Sequence, residues 1–198
     1  MHNFNIFAVS LTLILSMKKS EFLKNSMTFG AITGLALIIV GVIAYILDLQ
    51  NSTINSFLQY GVMIAGIFLG TRNFRDKINF GSITYGKALG SGVLICLFSS
   101  IIMALYNYIF LKYIDPDFIG KLLEMIENEM LKQGLPDNQV EMALEMQRKI
   151  MTPTWISIII IPSLTFMGFL FSLVTSIFLK RKSNPFDEAM REVDDKKQ

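Results

Sequence analysis

RNFRDKINFGSITYGKALGSGVLICLFSSIIMALYNYIFLKYIDPDF, residues 72–118, decides how this chain is read. It opens on a basic knot of Arg72, Arg75 and Lys77, with Asp76 among them. An apolar run follows from about Tyr85 to Leu111, and the stretch closes on Asp115-Pro116-Asp117. The run exceeds the ~20 residues that a helix needs to cross a bilayer core. Lys87, near its start, can carry its ammonium back to the membrane surface along its own aliphatic stem. Cations at one end and carboxylates at the other give the span a direction, because Lys and Arg stay on the cytoplasmic side.

The rest of the chain repeats this pattern. Of 198 residues, 52% are hydrophobic and 17% charged, against roughly 25% charged in an ordinary soluble domain. Further spans are predicted over about 25–47, 54–71 and 154–179, which with 85–111 makes four. The basic clusters Lys18/Lys19/Lys24, Arg72/Arg75/Lys77 and Lys180/Arg181/Lys182 then fall on one side. Between Lys112 and Lys149, eight carboxylates (Asp115, Asp117, Glu124, Glu127, Glu129, Asp137, Glu141, Glu145) outnumber the basic residues Lys112, Lys121, Lys132, Arg148 and Lys149. The expected topology is a multi-pass protein of a bacterial inner membrane with both termini cytoplasmic. Tyr45, Tyr60, Tyr106, Tyr108, Tyr113 and Trp155 fall near the outer boundary, where amphipathic rings settle.

Residues 1–16 resemble a signal peptide only superficially: their apolar run is short, and they lack a basic n-region and an A-x-A-like site. Met17-Lys18-Lys19-Ser20 reads as an ordinary start, so 1–16 are expected to be an over-extended start outside the fold. The tail 183–198 is charged and is expected to be cytoplasmic.

Small residues recur four apart, at Gly30/Gly34, Gly66/Gly70, Gly86/Gly90 and Gly168/Ser172. Such pairs share a helix face and let backbones approach closely, within one bundle or between copies of the chain. Gly66, Gly70, Gly86 and Gly90 are the residues singled out for helix packing or a homo-oligomer interface. Ser99, Ser100, Ser163 and Thr165, near mid-membrane, are expected to bond between helices. Pro162 should remove the hydrogen bond to the Ile158 carbonyl and kink the last span.

Between the third and fourth spans, 115–151 reads as a helical hairpin outside the membrane. Asp115 is the expected N-cap, with Pro116 at the first helical position. Ile119, Leu122, Leu123, Ile126 and Met130 keep helical spacing, Gly134 ends the helix, and Asn138 with Glu141 suggests a capping box for the second arm. Self-packing and partner binding both suit its apolar faces, and its methionines (Met125, Met130, Met142, Met146, Met151) are adaptable contact residues.

Four quoted segments, in this order and spacing, carry a resemblance. They are MKKSEFLK (17–24), RNFRDK with FGSITYGKALG (72–90), ALYNYIFLKYIDPDF (104–118) and KRKSNPF (180–186). The chain resembles the bacterial membrane family called domain of unknown function 4199, found mainly in Bacteroidota. That resemblance implies membrane topology and supplies no activity.

The fold expected is all-α: an integral membrane four-helix bundle with an extracytoplasmic helical hairpin between the third and fourth spans. No catalytic, metal or cofactor constellation is expected. The single cysteine, Cys96, lies in an apolar run, and the single histidine is His2. The net charge of +2, without a basic stripe interleaved with aromatics, argues against nucleic acid. The leading expectation is a non-enzymatic structural or accessory subunit that engages lipid and, through Asp117 to Met151, an envelope protein. An oligomeric small-solute or ion pathway is the alternative, although no ionisable residue sits near mid-membrane. A membrane-embedded enzyme comes third, since acid pairs such as Glu124/Glu127 lack surroundings that would raise their pKa.

Overall fold

The computed structural model describes residues 2–50, 52–79 and 81–181, with side chains from Ser20 onward. Every element named there is helical: α1 His2–Ile46, α2 Thr53–Asn73, α3 Tyr85–Ile109, α4 Phe118–Lys132, α5 Asp137–Ile150 and α6 Pro153–Leu179. Short π-helical segments, Phe74–Ile78 and Phe110–Ile114, prolong α2 and α3. Four helices are long and apolar enough to cross a membrane: Ser20–Ile46, Thr53–Ile78, Tyr85–Ile114 and Pro153–Leu179. The backbone of 2–16 continues α1 upstream, and the tail expected over 183–198 lies outside the described residues.

The second and third spans run further than their apolar runs suggest. The basic knot at 72–77 does not stop α2, because Phe74 is buried edge-on against Phe22, with ring centroids 4.8 Å apart. Arg72 and Arg75 also both pair with Asp76, at 3.4 and 2.6 Å. The extensions widen to a π register, in which Asn79 N donates to Phe74 O and Asp115 N to Phe110 O. The predicted starts of the outer helices also shift. The α4 helix begins at Phe118, behind Asp117 rather than Asp115, and the Asp115 carboxylate accepts from Tyr45 and Lys121 as well as from the Asp117 N–H. The Asn138/Glu141 capping box does not form either, since α5 starts at Asp137 behind Pro136 with no side-chain cap. Gly134, at φ +77°, closes α4, with Leu135 N returning to Met130 O. The last span continues through Pro162 as one helix, entered from the Thr152 cap that accepts from Trp155 N.

Among the membrane-length helices, α3 is the most buried; it packs on α1, α2 and α6, while α2 also touches α1 and α6. Their contacts use small and hydroxylic residues. Ser99 Oγ donates to Gly30 O at 2.9 Å, joining α3 to α1, and Ser100 Oγ lies 3.4 Å from Thr165 Oγ1 of α6. Ser91, Ser99, Ser100 and Ser172 are fully buried, whereas Ile32, Ile39, Ile54, Phe57, Leu105 and Phe178 face outward. A soluble helical protein shows the reverse, and so large an apolar exterior fits hydrocarbon rather than water.

Side-chain amides and a backbone bridge tie the basic end together. Asn25 Nδ2 donates to Gly70 O at 3.0 Å, and Asn73 Nδ2 donates to Asn25 Oδ1 at 2.7 Å. Ile83 and Arg181 exchange backbone hydrogen bonds of 2.9 and 3.0 Å, fastening the α2–α3 connection to the end of α6.

Candidate functional site

The opposite end carries the features with chemistry to offer. Helices α4 and α5 pack through Leu123, Val140 and Leu144, with Ile119, Met130, Leu135 and Met151 around them. Of the five methionines noted in the sequence, Met130 and Met151 thus serve self-packing. Met142 and Met146 remain exposed.

Asp115 joins this helix pair to the long helices. Tyr45 Oη of α1 donates to Asp115 Oδ2 at 3.1 Å, and Lys121 Nζ of α4 donates to both carboxylate oxygens, at 3.3 and 3.1 Å. The Phe110 ring lies edge-on to both Tyr45 and Phe118, with centroids 5.0 and 5.7 Å apart, which holds α1, the end of α3 and the start of α4 in one corner. Burial pushes the Asp115 carboxyl up, but the Lys121 ammonium and the Tyr45 hydroxyl outweigh it and leave its pKa below the ordinary value. Asp115 is 7% exposed, yet it is shielded by these immediate neighbours rather than by depth in the protein. Lys121 is raised by the same carboxylate. Tyr45, Asp48, Gln50, Asp115, Phe118 and Lys121 line a cleft of about 210 Å³ over the α1–α2 turn.

A larger groove, about 420 Å³, runs along the α4–α5 pair. Leu131, Val140 and Leu144 contribute its apolar part, and Glu127, Asp137, Glu141 and Glu145 line it with one guanidinium, Arg148. Among the described residues no three His, Cys, Asp or Glu side chains converge as a metal would require. The carboxylates are therefore spread along the groove, an arrangement suited to an extended cationic ligand rather than a point charge.

The glycine pairs are placed unequally. A Cβ on Gly66 would strike Thr33 of α1, and one on Gly70 would lie 2.8 Å from Phe29 Cβ and 2.5 Å from Ile95 Cδ1. Among the described residues Gly86 meets nothing within 4 Å, and Gly90 meets only Phe22 Cζ at 3.9 Å. Close approaches also occur at Gly30, against Phe98 and the Ile95 carbonyl, at Gly168 against Cys96, and at Gly92 against Ser172 and Ile67. Gly92 was not singled out in the sequence, although Ala88 stands four residues before it. The Asp115 clamp was missed for a different reason: its partners lie 70 positions upstream and six downstream, so only the fold brings them together.

The model of the family described as Protein of unknown function (DUF4199) matches residues 28–181. The chain belongs to this family. The matched region begins inside α1 and ends at Arg181, so it contains all four membrane-length helices' packing faces beyond Met27, the Asp115 clamp and the acidic groove. Neither a curated protein nor a solved structure matches the chain. DUF4199 membership thus agrees with the resemblance read from the sequence and assigns no reaction.

Proposed function

We propose that this DUF4199 protein is a non-enzymatic four-span protein of the bacterial cytoplasmic membrane, with both termini inside. Its α4–α5 hairpin is presented outside the membrane as a docking element for an envelope protein. The carrying observation is the groove with Leu131, Val140 and Leu144 in its wall and Glu127, Asp137, Glu141 and Glu145 along it. Four carboxylates against the single Arg148 guanidinium, beside an apolar strip, suit a basic, amphipathic segment of a partner and disfavour acidic ones. The clamp at Asp115 supports the reading by fixing the hairpin relative to the spans, which reduces the ordering cost of docking.

Cross-linking and mass spectrometry on native membranes test this. The natural protein is compared with a Glu127→Gln/Glu141→Gln/Glu145→Gln variant and with one whose Asp117–Met151 segment is a Gly/Ser linker. A partner captured by the natural protein and lost from both variants is the expected outcome. Equal capture by all three, or capture of none, removes the docking role.

One observation favours an oligomeric small-solute or ion pathway instead: Thr71, Ser91, Ser172 and Ser176 bury hydroxyls that have no hydrogen-bond partner among the described residues. Against it, Gly92 of α3 packs closely on Ser172 of α6 and Ile67 of α2, so these helices touch directly at that level. Solute or ion flux above that of empty vesicles, lost in Ser91→Leu, would establish the pathway.

A further inference from the structure

A second face of the hairpin is exposed among the described residues. On α5, Met142, Met146 and Ile150 stand four residues apart and are 70%, 62% and 58% exposed. At about 100° per residue, they lie roughly 200°, 240° and 280° round the helix from Val140, which faces α4. The groove carboxylates Glu141 and Glu145 fall at about 100° and 140°, so the apolar stripe and the acidic groove are separate surfaces.

The stripe leads directly into membrane-facing surface. Only Met151 separates Ile150 from Thr152, the cap of α6, and Trp155, Ile158 and Ile159 beyond it are exposed on a span. Ile150 is therefore held at the membrane boundary by chain connectivity alone. Along its length, α4 also flanks the end of α1. Phe118, Lys121, Leu122 and Met125 all line the cleft shared with Tyr45 and Gln50. A helix rising along the membrane normal would carry Met125 about 10 Å beyond Phe118 and away from that turn.

We propose that the Met142–Met146–Ile150 face of α5 rests on the outer leaflet of the membrane that holds the spans. The hairpin then lies in the interfacial plane, with its apolar stripe on lipid and its acidic groove turned to the aqueous side. Amphipathic helices bind bilayers in this way, through a narrow apolar face immersed at the headgroup–acyl boundary. Flexible thioethers suit an irregular lipid surface. Lys149 flanks the stripe and can reach the headgroups. This placement is independent of whether the groove has a protein partner.

The test uses the full chain in phosphatidylcholine/phosphatidylglycerol vesicles. Trp155, the single tryptophan, is replaced by Phe, and Met146→Trp, Met142→Trp or Glu141→Trp is then introduced separately. Brominated acyl chains should quench Met146→Trp and Met142→Trp about two-fold or more relative to Glu141→Trp, and aqueous iodide should show the opposite order. Either methionine site suffices if the other variant fails to fold. Iodide access at both methionine sites equal to that of Glu141→Trp overturns the proposal. Shielding from both quenchers also overturns it, because protein rather than lipid would then cover the stripe.

Discussion

At the residue scale, the glycines separate into those that set a helix distance and those that do not. A Cβ on Gly30 would lie 2.5 Å from Phe98 Cβ and 2.9 Å from the Ile95 carbonyl oxygen, and that backbone oxygen cannot swing aside. Gly30→Ala should therefore push α1 from α3 and cost about 1–3 kcal/mol, the range of overpacked interiors. Gly86→Ala, in open space, should leave stability unchanged; denaturant titration in detergent compares the two. Ser99→Ala, which removes the bond to Gly30 O, should cost about 0.6 kcal/mol in the same assay. For Asp115 the folded pKa is lowered, so its stabilising contribution is present above the ordinary carboxylate value of about 3.9 and lost as pH falls below it. Lys121 is raised, and its contribution is complete below about 10.4 and lost above its folded value. Amide exchange across α4 should therefore stay constant from roughly pH 4 to 10 after correction for intrinsic rates, and accelerate in Asp115→Asn at neutral pH. An unchanged α4 in Asp115→Asn would show that the clamp does not hold the hairpin.

At the element scale, the hairpin rests on a small core of its own, and its groove exists only while that core does. Leu144 lies in the core and also lines the groove. Leu144→Ala should destabilise α4 and α5 by about 2 kcal/mol or more while leaving the long helices folded. Faster amide exchange confined to 118–150 is the expected signature, and equal acceleration in α3 would mean that hairpin and spans unfold together. The periodicity of 119–130 and the Gly134 stop were legible because both are local: helical spacing and a positive-φ residue need no distant partner. The helix starts were not. Asp115 carries an N-cap signature, but α4 starts behind Asp117, and the Asp115 carboxylate adds Tyr45 and Lys121 to its local bond from the Asp117 N–H. The end of α2 was misplaced for a related reason. Arg72–Lys77 reads as a polar boundary, yet burial of Phe74 against Phe22 continues the helix through it.

For the whole molecule, the proposed topology predicts opposite accessibilities for the two ends. In intact cells, a membrane-impermeant thiol reagent should label Lys132→Cys in the hairpin and spare Lys180→Cys until the membrane is opened. Cys96, buried between helices, should remain silent in both. Labelling of Lys180→Cys in intact cells would reverse the orientation and place the acidic groove in the cytoplasm. The all-helical character, the membrane-length helices and the kinship with DUF4199 were determined by sequence alone. The first two are properties of contiguous apolar runs and their bounding charges, which act through transfer free energy along the chain and require no knowledge of neighbours. Only the tertiary structure decided which small residues are contacts, that Gly66 and Gly70 meet α1 while Gly86 meets nothing among the described residues, and that Tyr45, Asp115 and Lys121 form one cluster. It also separated the acidic groove from the methionine stripe on a single helix. These are matters of helix rotation and pairing, which every lipid-compatible sequence leaves open, because hydrocarbon accepts any apolar face equally and packing and hydrogen bonding choose among them.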